Sequence, residues 1–147
     1  MTTTMRDAEP SDHAAWAPLW DAFMASQGAD AGPAVARATW RRVIDPASPL
    51  KLRLALREGR IAGFATHFHQ PNSWTLGDDG CLDGLFVAPD ARGMGVARAL
   101  IDDLLGLARL RGWHSVYWHA REDNVAARAL YDRYAASDGA VRYRVPT

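Results

Sequence analysis

A short turn of small residues, Arg92-Gly93-Met94-Gly95-Val96-Ala97, joins an apolar strand to an amphipathic helix. Glycines let the backbone curl so that its N–H groups converge, and the lack of side chains allows an anion to approach closely. The N-terminus of the helix adds a favourable dipole, and Arg92 adds a full positive charge. The turn therefore predicts a site for a pyrophosphate, although a simple strand–helix connector would also use glycines.

The turn fits one phosphate-binding pattern and fails two others. A Walker-type loop needs Gly-Lys-Ser or Gly-Lys-Thr, and neither occurs in the sequence. A dinucleotide fingerprint needs a third glycine where Arg98 stands, and it needs the glycines directly after the strand, from which residues 88–92 separate them. The pattern Arg-x-x-Gly-x-Ala, typical of loops for the coenzyme A pyrophosphate, fits residues 92–97.

Composition excludes several classes of partner. The 147 residues carry 17 basic and 17 acidic side chains, so a formal net charge of zero provides no general attraction to nucleic acid. The single cysteine, Cys81, allows no disulfide framework, and no apolar run approaches the ~20 residues that span a bilayer. We therefore expect a soluble, cytoplasmic protein with neither nucleic acid nor a membrane as a partner.

The elements that position this turn alternate between helices and strands. Helical spacing indicates helices over residues 9–28, 32–45, 95–112 and 122–136. Strand patterns cover residues 2–6, 50–58, 61–70, 81–87, 113–120 and 140–145. The order β-α-α-β-β-β-α-β-α-β predicts a single domain over residues 1–147, of the α/β (α+β) class, with a mostly antiparallel sheet and helices on both faces.

Two segments resemble the signatures of the GNAT superfamily of N-acetyltransferases. Residues 85–101, LFVAPDARGMGVARALI, resemble its acetyl-CoA signature, and residues 124–134, NVAARALYDRY, resemble its second signature. The resemblance covers residues 50–145 well and the two N-terminal helices by their order. It implies a GNAT-like mixed central sheet with a V-shaped splay between the fourth and fifth strands, and acetyl-CoA as cosubstrate.

The resemblance also implies roles for individual residues. The residues implied in acetyl-CoA binding are Leu85, Phe86, Val87, Arg92, Gly93, Met94, Gly95, Val96, Ala97, Arg98, Asn124 and Tyr131. The N–H of Val87 would stabilise the oxyanion formed on attack. The phenol of Tyr131, with an unperturbed pKa near ~10, would donate a proton to the departing thiolate. Helix capping by Asn124 and core packing of Tyr131 are the structural alternatives.

The amine side of the reaction needs a proton acceptor, because free alkylamines are mostly protonated at neutral pH. Asp83 is the predicted base, since members of the family with polyamine-type substrates often carry an acidic residue at this position. Gly84 stands where a second acidic residue is common in those members, which argues against a polyamine here. The alternative bases are His119, Glu122, His67 and His69.

A metal site is not expected, although two histidines share one face of a strand. His67 and His69 alternate along the segment THFH, but no third ligand has the spacing that would complete a site.

The predicted function is transfer of an acetyl group to the primary amine of a small molecule by direct attack. In this family the N-terminal helices, which here contain Trp16, Trp20 and Trp40, cover the acceptor pocket, and aromatic walls suit an ammonium ion. Core packing explains these tryptophans equally well. The alternatives are a protein lysine or N-terminal acetyltransferase, which would need an open groove, and a non-catalytic acyl-CoA-binding module, which would need neither Tyr131 nor a base.

The last predicted strand suggests a homodimer. Residues 140–145 alternate Val141, Tyr143 and Val145 with two arginines, so one face is suited to burial and the other to solvent. A strand this close to the end of the sequence is easily paired across a two-fold axis. A strand added to the sheet of its own monomer is the alternative.

Overall fold

The computed structural model describes residues 2–147 and contains five strands and four α-helices in those residues. In chain order they are β1 (Thr4–Asp7), α1 (His13–Ser26), α2 (Gly32–Ile44), β2 (Lys51–Arg57), β3 (Arg60–Gln70), β4 (Asp79–Val87), α3 (Val96–Arg111), β5 (Ser115–Trp118) and α4 (Val125–Tyr131). Short 3-10 turns at Pro10–Asp12 and Pro89–Ala91 precede α1 and the glycine turn. The predicted order of elements is confirmed as far as α4.

The strands form one mixed sheet in the order β1-β2-β3-β4-β5. The first four pair antiparallel with their neighbours, whereas β5 pairs parallel with β4 because α3 carries the chain back across the sheet. This confirms the predicted α/β (α+β) class with a mostly antiparallel sheet. No helix in residues 2–147 is long and apolar enough to cross a bilayer.

Helices cover both faces of the sheet, which explains why the central strand β3 is buried from Ala62 to His67. On one face, α1 and α2 enclose an aromatic cluster. Its buried members are Trp16, Trp20, Phe23, Val43, Leu52, Leu54, Phe64 and Phe86. On the other face, α3 buries Val96, Leu100, Ile101, Leu104 and Ala108 against the sheet. The three-to-four-residue spacing of these side chains places them on one side of α3.

A half-buried ion pair connects α3 to the sheet. The guanidinium of Arg53 on β2 donates from Nε and Nη2 to the two carboxylate oxygens of Asp103, over 2.8 Å and 2.7 Å. Such bidentate pairs are geometrically specific as well as favourable. The pair fixes how α3, and therefore the turn at its N-terminus, lies on the sheet.

The strand β4 carries one extra residue, and this residue starts the splay of the sheet. Thr66 on β3 pairs with Gly84, whereas the next residue, His67, pairs with Leu82, so Asp83 is a β-bulge. The pairing with β5 stops at Leu82 opposite Trp118. A bulge bends and twists its strand, and residues 83–87 have no partner on that edge among residues 2–147. The predicted V-shaped splay between β4 and β5 is confirmed.

Two of the three N-terminal tryptophans belong to the core. Trp16 is 0% exposed and Trp20 is 8% exposed, and their rings stack with centroids 5.3 Å apart above Phe64. The interpretation of Trp16 and Trp20 as walls of an acceptor pocket is therefore wrong, because both rings face the sheet. Trp40 is half-buried against Trp16 and His13.

The predicted last strand, residues 140–145, is not formed. After α4 the chain continues to Thr147 without further regular structure, and Val141, Tyr143 and Val145 are each more than 70% exposed. Alternation alone does not make a strand, since a strand forms when its apolar face is buried and its backbone groups are paired. Neither condition is met here.

Replacing Gly84 by alanine should destabilise the fold, because a Cβ there would lie 2.8 Å from Thr66 Oγ1 and 3.1 Å from the Phe23 ring. We expect the free energy of unfolding to fall by about 1–3 kcal/mol, the usual cost of overpacking a core. The matched control is Gly106→Ala on α3, where a Cβ meets nothing within 4 Å. That control should be neutral or stabilise the helix by up to about 1 kcal/mol. Denaturant titration measures both, and wild-type stability of the Gly84 variant would contradict this account.

Candidate active site

The turn before α3 has the backbone conformation that its glycines predict. Gly93 and Gly95 both have φ of +77°, in the left-handed region that favours glycine, and Gly95 is the N-cap of α3. A Cβ on either glycine would meet nothing within 4 Å, so open space lies in front of the backbone. The N–H groups in the first turn of α3 therefore lie where an anion can approach the backbone closely.

The side chains of the turn leave this approach open. Arg92 is exposed, donates weakly from Nε to the carbonyl of Val87 over 3.4 Å, and lies 5.7 Å from the centre of the Phe86 ring. Met94 is 53% exposed, whereas Val96 is buried and Ala97 half-buried beneath the turn. Arg98 is exposed on the first turn of α3, where it lies 3.8 Å from Asp102. Two cationic side chains thus flank the open backbone.

The free edge of β4 leads directly to this turn. The N–H of Ala88 donates to the carbonyl of Ala62 over 2.8 Å, so it points toward β3. Because backbone groups alternate between the two edges of a strand, the N–H of Val87 points to the opposite edge, into the splay. Leu85 has the same orientation as Val87, since the two are two residues apart. This edge can pair with an extended chain that carries amide groups.

Tyr131 lies across the splay from this edge. Its ring packs edge-on against Trp118 with centroids 5.5 Å apart, and it contacts the same apolar cluster as Leu85 and Val87. Burial raises the pKa of the Tyr131 phenol above its ordinary value of 10. In residues 2–147 no group forms a hydrogen bond with its hydroxyl. The hydroxyl is therefore a protonated donor that is not occupied by a backbone carbonyl.

Asn124 caps the helix that carries Tyr131. Its side-chain oxygen accepts a hydrogen bond of 3.3 Å from the N–H of Ala127, which fixes the first turn of α4. The capping alternative for Asn124 is thus present in the structure. The amide nitrogen of the same side chain is not used by this cap, so capping does not prevent Asn124 from donating a further hydrogen bond.

Asp83, at the bulge, is exposed at the point where β4 and β5 part. Its carboxylate lies 3.5 Å from the hydroxyl of Thr66. The adjacent Gly84 packs against Thr66 and Phe23, which explains why no second acidic side chain stands there. Asp83 therefore provides the carboxylate at this point on β4.

The alternative bases are placed less favourably. His67 is 2% exposed, and burial lowers the pKa of its imidazole to about 4. His69 lies 2.7 Å from Asp78 and stacks on Trp113. His119 and Glu122 are exposed beyond the end of β5. In residues 2–147, no cluster of three His, Cys, Asp or Glu side chains is arranged to hold a metal ion.

Two tyrosines of this region were missed by sequence reasoning. Tyr117 on β5 accepts a hydrogen bond of 3.2 Å from Gln70, and burial together with its contact to Cys81 raises its pKa to about 12. Tyr134 donates to Asp102 over 2.8 Å. Burial and this carboxylate raise the pKa of Tyr134 to about 12. Tyr134 lies in the segment NVAARALYDRY. Its contact with α3 could not be predicted from the sequence, because the helical period of one segment does not show which other helix it packs against.

The sequence matches the profile of one family, described as Acetyltransferase (GNAT) family, over residues 15–135. It is also 33% identical over 138 residues to the D-amino-acid N-acetyltransferase HPA3 of Saccharomyces cerevisiae, a match that covers 92% of this chain and 86% of that protein.

Solved structures share the fold at lower sequence identity. The ribosomal-protein-alanine N-acetyltransferase from Brucella melitensis biovar Abortus 2308 superposes with a TM-score of 0.83 at 23% identity, over 99% of both chains. The structure of AAC(6')-Iy in complex with the bisubstrate analog CoA-S-monomethyl-acetylneamine gives a TM-score of 0.83 at 18% identity, over 100% of both chains. At these identities the likeness establishes the fold.

Proposed function

The chain belongs to the Acetyltransferase (GNAT) family of N-acetyltransferases, and from this premise we propose that it transfers the acetyl group of acetyl-CoA to the primary amine of a small molecule. The observation that carries the proposal is the continuous open path formed by the free edge of β4 and the glycine turn. A single domain over residues 1–147 would carry the whole reaction. A buried free thiol, Cys81, is consistent with work in the reducing cytoplasm.

The residues present fit acetyl-CoA as a substrate. The open backbone at Gly93, Gly95 and the start of α3, with Arg92 and Arg98 beside it, suits a pyrophosphate. Leu85 and Val87 present backbone groups for the pantetheine amides, and Phe86 faces the core beneath them. Met94, Val96, Ala97, Asn124 and Tyr131 complete the group of predicted binding residues. The N–H of Val87 is available to stabilise the oxyanion of the attacked thioester.

Tyr131 and Asp83 are the proposed catalytic groups. Tyr131 protonates the departing thiolate, which its raised pKa and unoccupied hydroxyl support. Asp83 accepts a proton from the ammonium form of the substrate, directly or through water, which its exposed position at the start of the splay supports. A non-catalytic binding module would need neither Tyr131 nor Asp83.

Acetylation assays with a panel of amines test the proposed function. Purified protein with acetyl-CoA should release free CoA thiol in the presence of D- and L-amino acids, simple alkylamines or aminoglycosides, and the rate should depend on the acceptor. Amino acids belong in the panel because the yeast relative is a D-amino-acid N-acetyltransferase. Turnover on peptides alone would favour the protein acetyltransferase alternative, and binding of acetyl-CoA without turnover on any amine would favour the binding module.

A loop variant serves as the negative control for that panel. Gly95→Asp places a carboxylate in front of the open backbone and should abolish acetyl-CoA binding by calorimetry. Gly28→Asp is its matched control, because Gly28 also has a positive φ, of +64°, with nothing within 4 Å of a Cβ, but lies at the end of α1. Equal affinity of the Gly95 variant and the wild type would contradict the assignment of the turn.

Replacing Tyr131 by phenylalanine should lower kcat by about 100-fold, the usual scale for one proton-transfer group, while acetyl-CoA affinity is preserved. The pH profile gives a second readout. Because burial raises the pKa of Tyr131 above 10, its proton is retained at every lower pH, and loss of the acid should appear only above that value. A Phe variant with wild-type kcat would show that water protonates the thiolate.

Replacing Asp83 by asparagine should lower the rate mainly at low pH, where unassisted neutral amine is scarce. Asp30→Asn is the control, since Asp30 is an exposed carboxylate in the connection between α1 and α2. The measurement is kcat/KM for one acceptor between about pH 6 and 9, a range below the alkylamine pKa of about 10, in which the neutral amine is the minor form. An unchanged profile would transfer the role of base to His119 or Glu122.

The proposal includes a homodimer in which a second copy covers the C-terminal segment, residues 139–147. Val141, Tyr143 and Val145 are exposed there, and β5 has a partner on one edge only within residues 2–147. Exposed apolar side chains beside an open sheet edge favour association. Light scattering should give twice the 16.1 kDa of one chain, and replacing all three side chains by serine should give a monomer. A wild-type monomer at micromolar concentration would overturn the dimer.

A further inference from the structure

A cleft of about 350 Å³ lies beside the C-terminal end of α3, where the end of α2 and the ends of β1 and β2 also meet. Because an α-helix rises about 1.5 Å per residue, the 16 residues of α3 separate this cleft by roughly 20 Å from the glycine turn at the other end. Its lining includes neither Tyr131 nor any of residues 83–98. The cleft is therefore distinct from the proposed acetyl-CoA site.

The register of the strands turns polar side chains of β2 and β3 toward α3 at this cleft. Lys51 on β2 is paired with His67 on β3, and directly paired residues of antiparallel strands share a face of the sheet. Arg53, two residues after Lys51, lies on the same face, and its bidentate contact with Asp103 shows that α3 covers this face. Arg111, from the last turn of α3, lines the cleft from the helix side.

The imidazole of His67 borders the cleft and is the most deeply buried polar group there. Its side chain is 2% exposed, and neither Nδ1 nor Nε2 has a hydrogen-bond partner among residues 2–147. Burial lowers the pKa of the ring to about 4, so at neutral pH the ring presents one N–H donor and one nitrogen acceptor. A buried polar group is costly without a partner, so this ring favours a ligand that reaches into the cleft.

Two cations at the cleft are not neutralised by an acidic side chain. Lys51 and Arg111 belong to none of the ion pairs of residues 2–147, and Lys51 donates to a backbone carbonyl over 3.1 Å. The two carboxylates that line the cleft already have donors. Asp7 pairs with Arg53 over 3.1 Å, and Asp45 accepts a backbone N–H over 2.9 Å. The groups left for a ligand are therefore mainly N–H donors with positive charge.

We propose that this cleft is a second ligand site, which binds a small oxyanion, a carboxylate or a phosphate, through Lys51, Arg111 and the N–H of His67. Guanidinium and ammonium groups form short, charge-assisted hydrogen bonds with both kinds of oxyanion. The N–H of His67 adds a directional bond at the buried end of the cleft. An ion held only at the surface would contact the two cations and leave His67 without a partner. The inference does not depend on acetyl transfer.

NMR titration of the wild-type protein with inorganic phosphate and with succinate tests this site. Ionic strength is held constant with sodium chloride, so general screening does not change during the titration. The ring nitrogen signals of His67 report on the cleft, whereas the amide signals of Gly93 and Gly95 report on the glycine turn, which could bind phosphate separately. We expect a saturable shift of the His67 ring signals with one or both probes. A response to phosphate alone or to succinate alone supports the site and identifies which oxyanion it takes.

Arg111→Gln should weaken the affinity measured at His67 by about 10- to 100-fold, as for loss of a charge-assisted hydrogen bond. The matched control is Arg109→Gln, because Arg109 is also an exposed basic residue of the last turn of α3 but does not line the cleft. This control should leave the affinity unchanged, and both variants should fold because both side chains are exposed.

Three results would overturn the inference. The first is the absence of a saturable shift at His67 with either probe, since water alone would then fill the cleft. Another is an equal loss of affinity in Arg109→Gln, because general surface charge would then be the cause. The third is a shift confined to signals of Lys51 and Arg111, which would mean ion pairing at the surface without a ligand in the cleft.

Discussion

The extra residue in β4 determines how the sheet is divided. Without the bulge at Asp83, β4 could continue to pair with a parallel neighbour along its length, and no unpaired backbone would face the glycine turn. With it, pairing to β5 stops at Leu82, and the following residues present their N–H and C=O groups to an open space. Unpaired backbone groups are costly when buried, so an edge of this kind is retained where a ligand or solvent satisfies it. The same bulge places a carboxylate at the entrance.

The surrounding core holds this arrangement in place through tight packing at glycines. A Cβ at Gly84 would overlap Thr66 and crowd Phe23, and a Cβ at Gly63 would lie 2.7 Å from the carbonyl of Phe86. The aromatic cluster on the α1 face thus packs directly against β4, the strand that carries the open edge. On the other face, the Arg53–Asp103 pair holds α3. Trp16 and Trp20 fill this core. They therefore support the strands beneath the proposed site and do not line an acceptor pocket.

The two sides of the proposed site differ in how local they are. The strand edge, the glycine turn and the start of α3 lie within residues 85–98, so this half is built by one continuous segment. The proposed acceptor side draws on Thr66 and Asp83, which lie on different strands. The proposed acetyl-CoA side is therefore local in the sequence, whereas the proposed acceptor side depends on how β3 and β4 are aligned.

Sequence patterns alone determined the helices, the first five strands and the glycine turn. Each of these follows from short-range physics, since periodicity reports which side of an element is buried and a left-handed φ at Gly93 and Gly95 requires glycine. Tertiary structure decided the rest. The bulge at Asp83 depends on the register of β3, and the burial of Trp16 and Trp20 depends on which face of α1 meets the sheet. Residues 140–145 have the alternation of a strand, but they pair with no strand among residues 2–147. These outcomes depend on contacts between distant segments, which no local pattern contains.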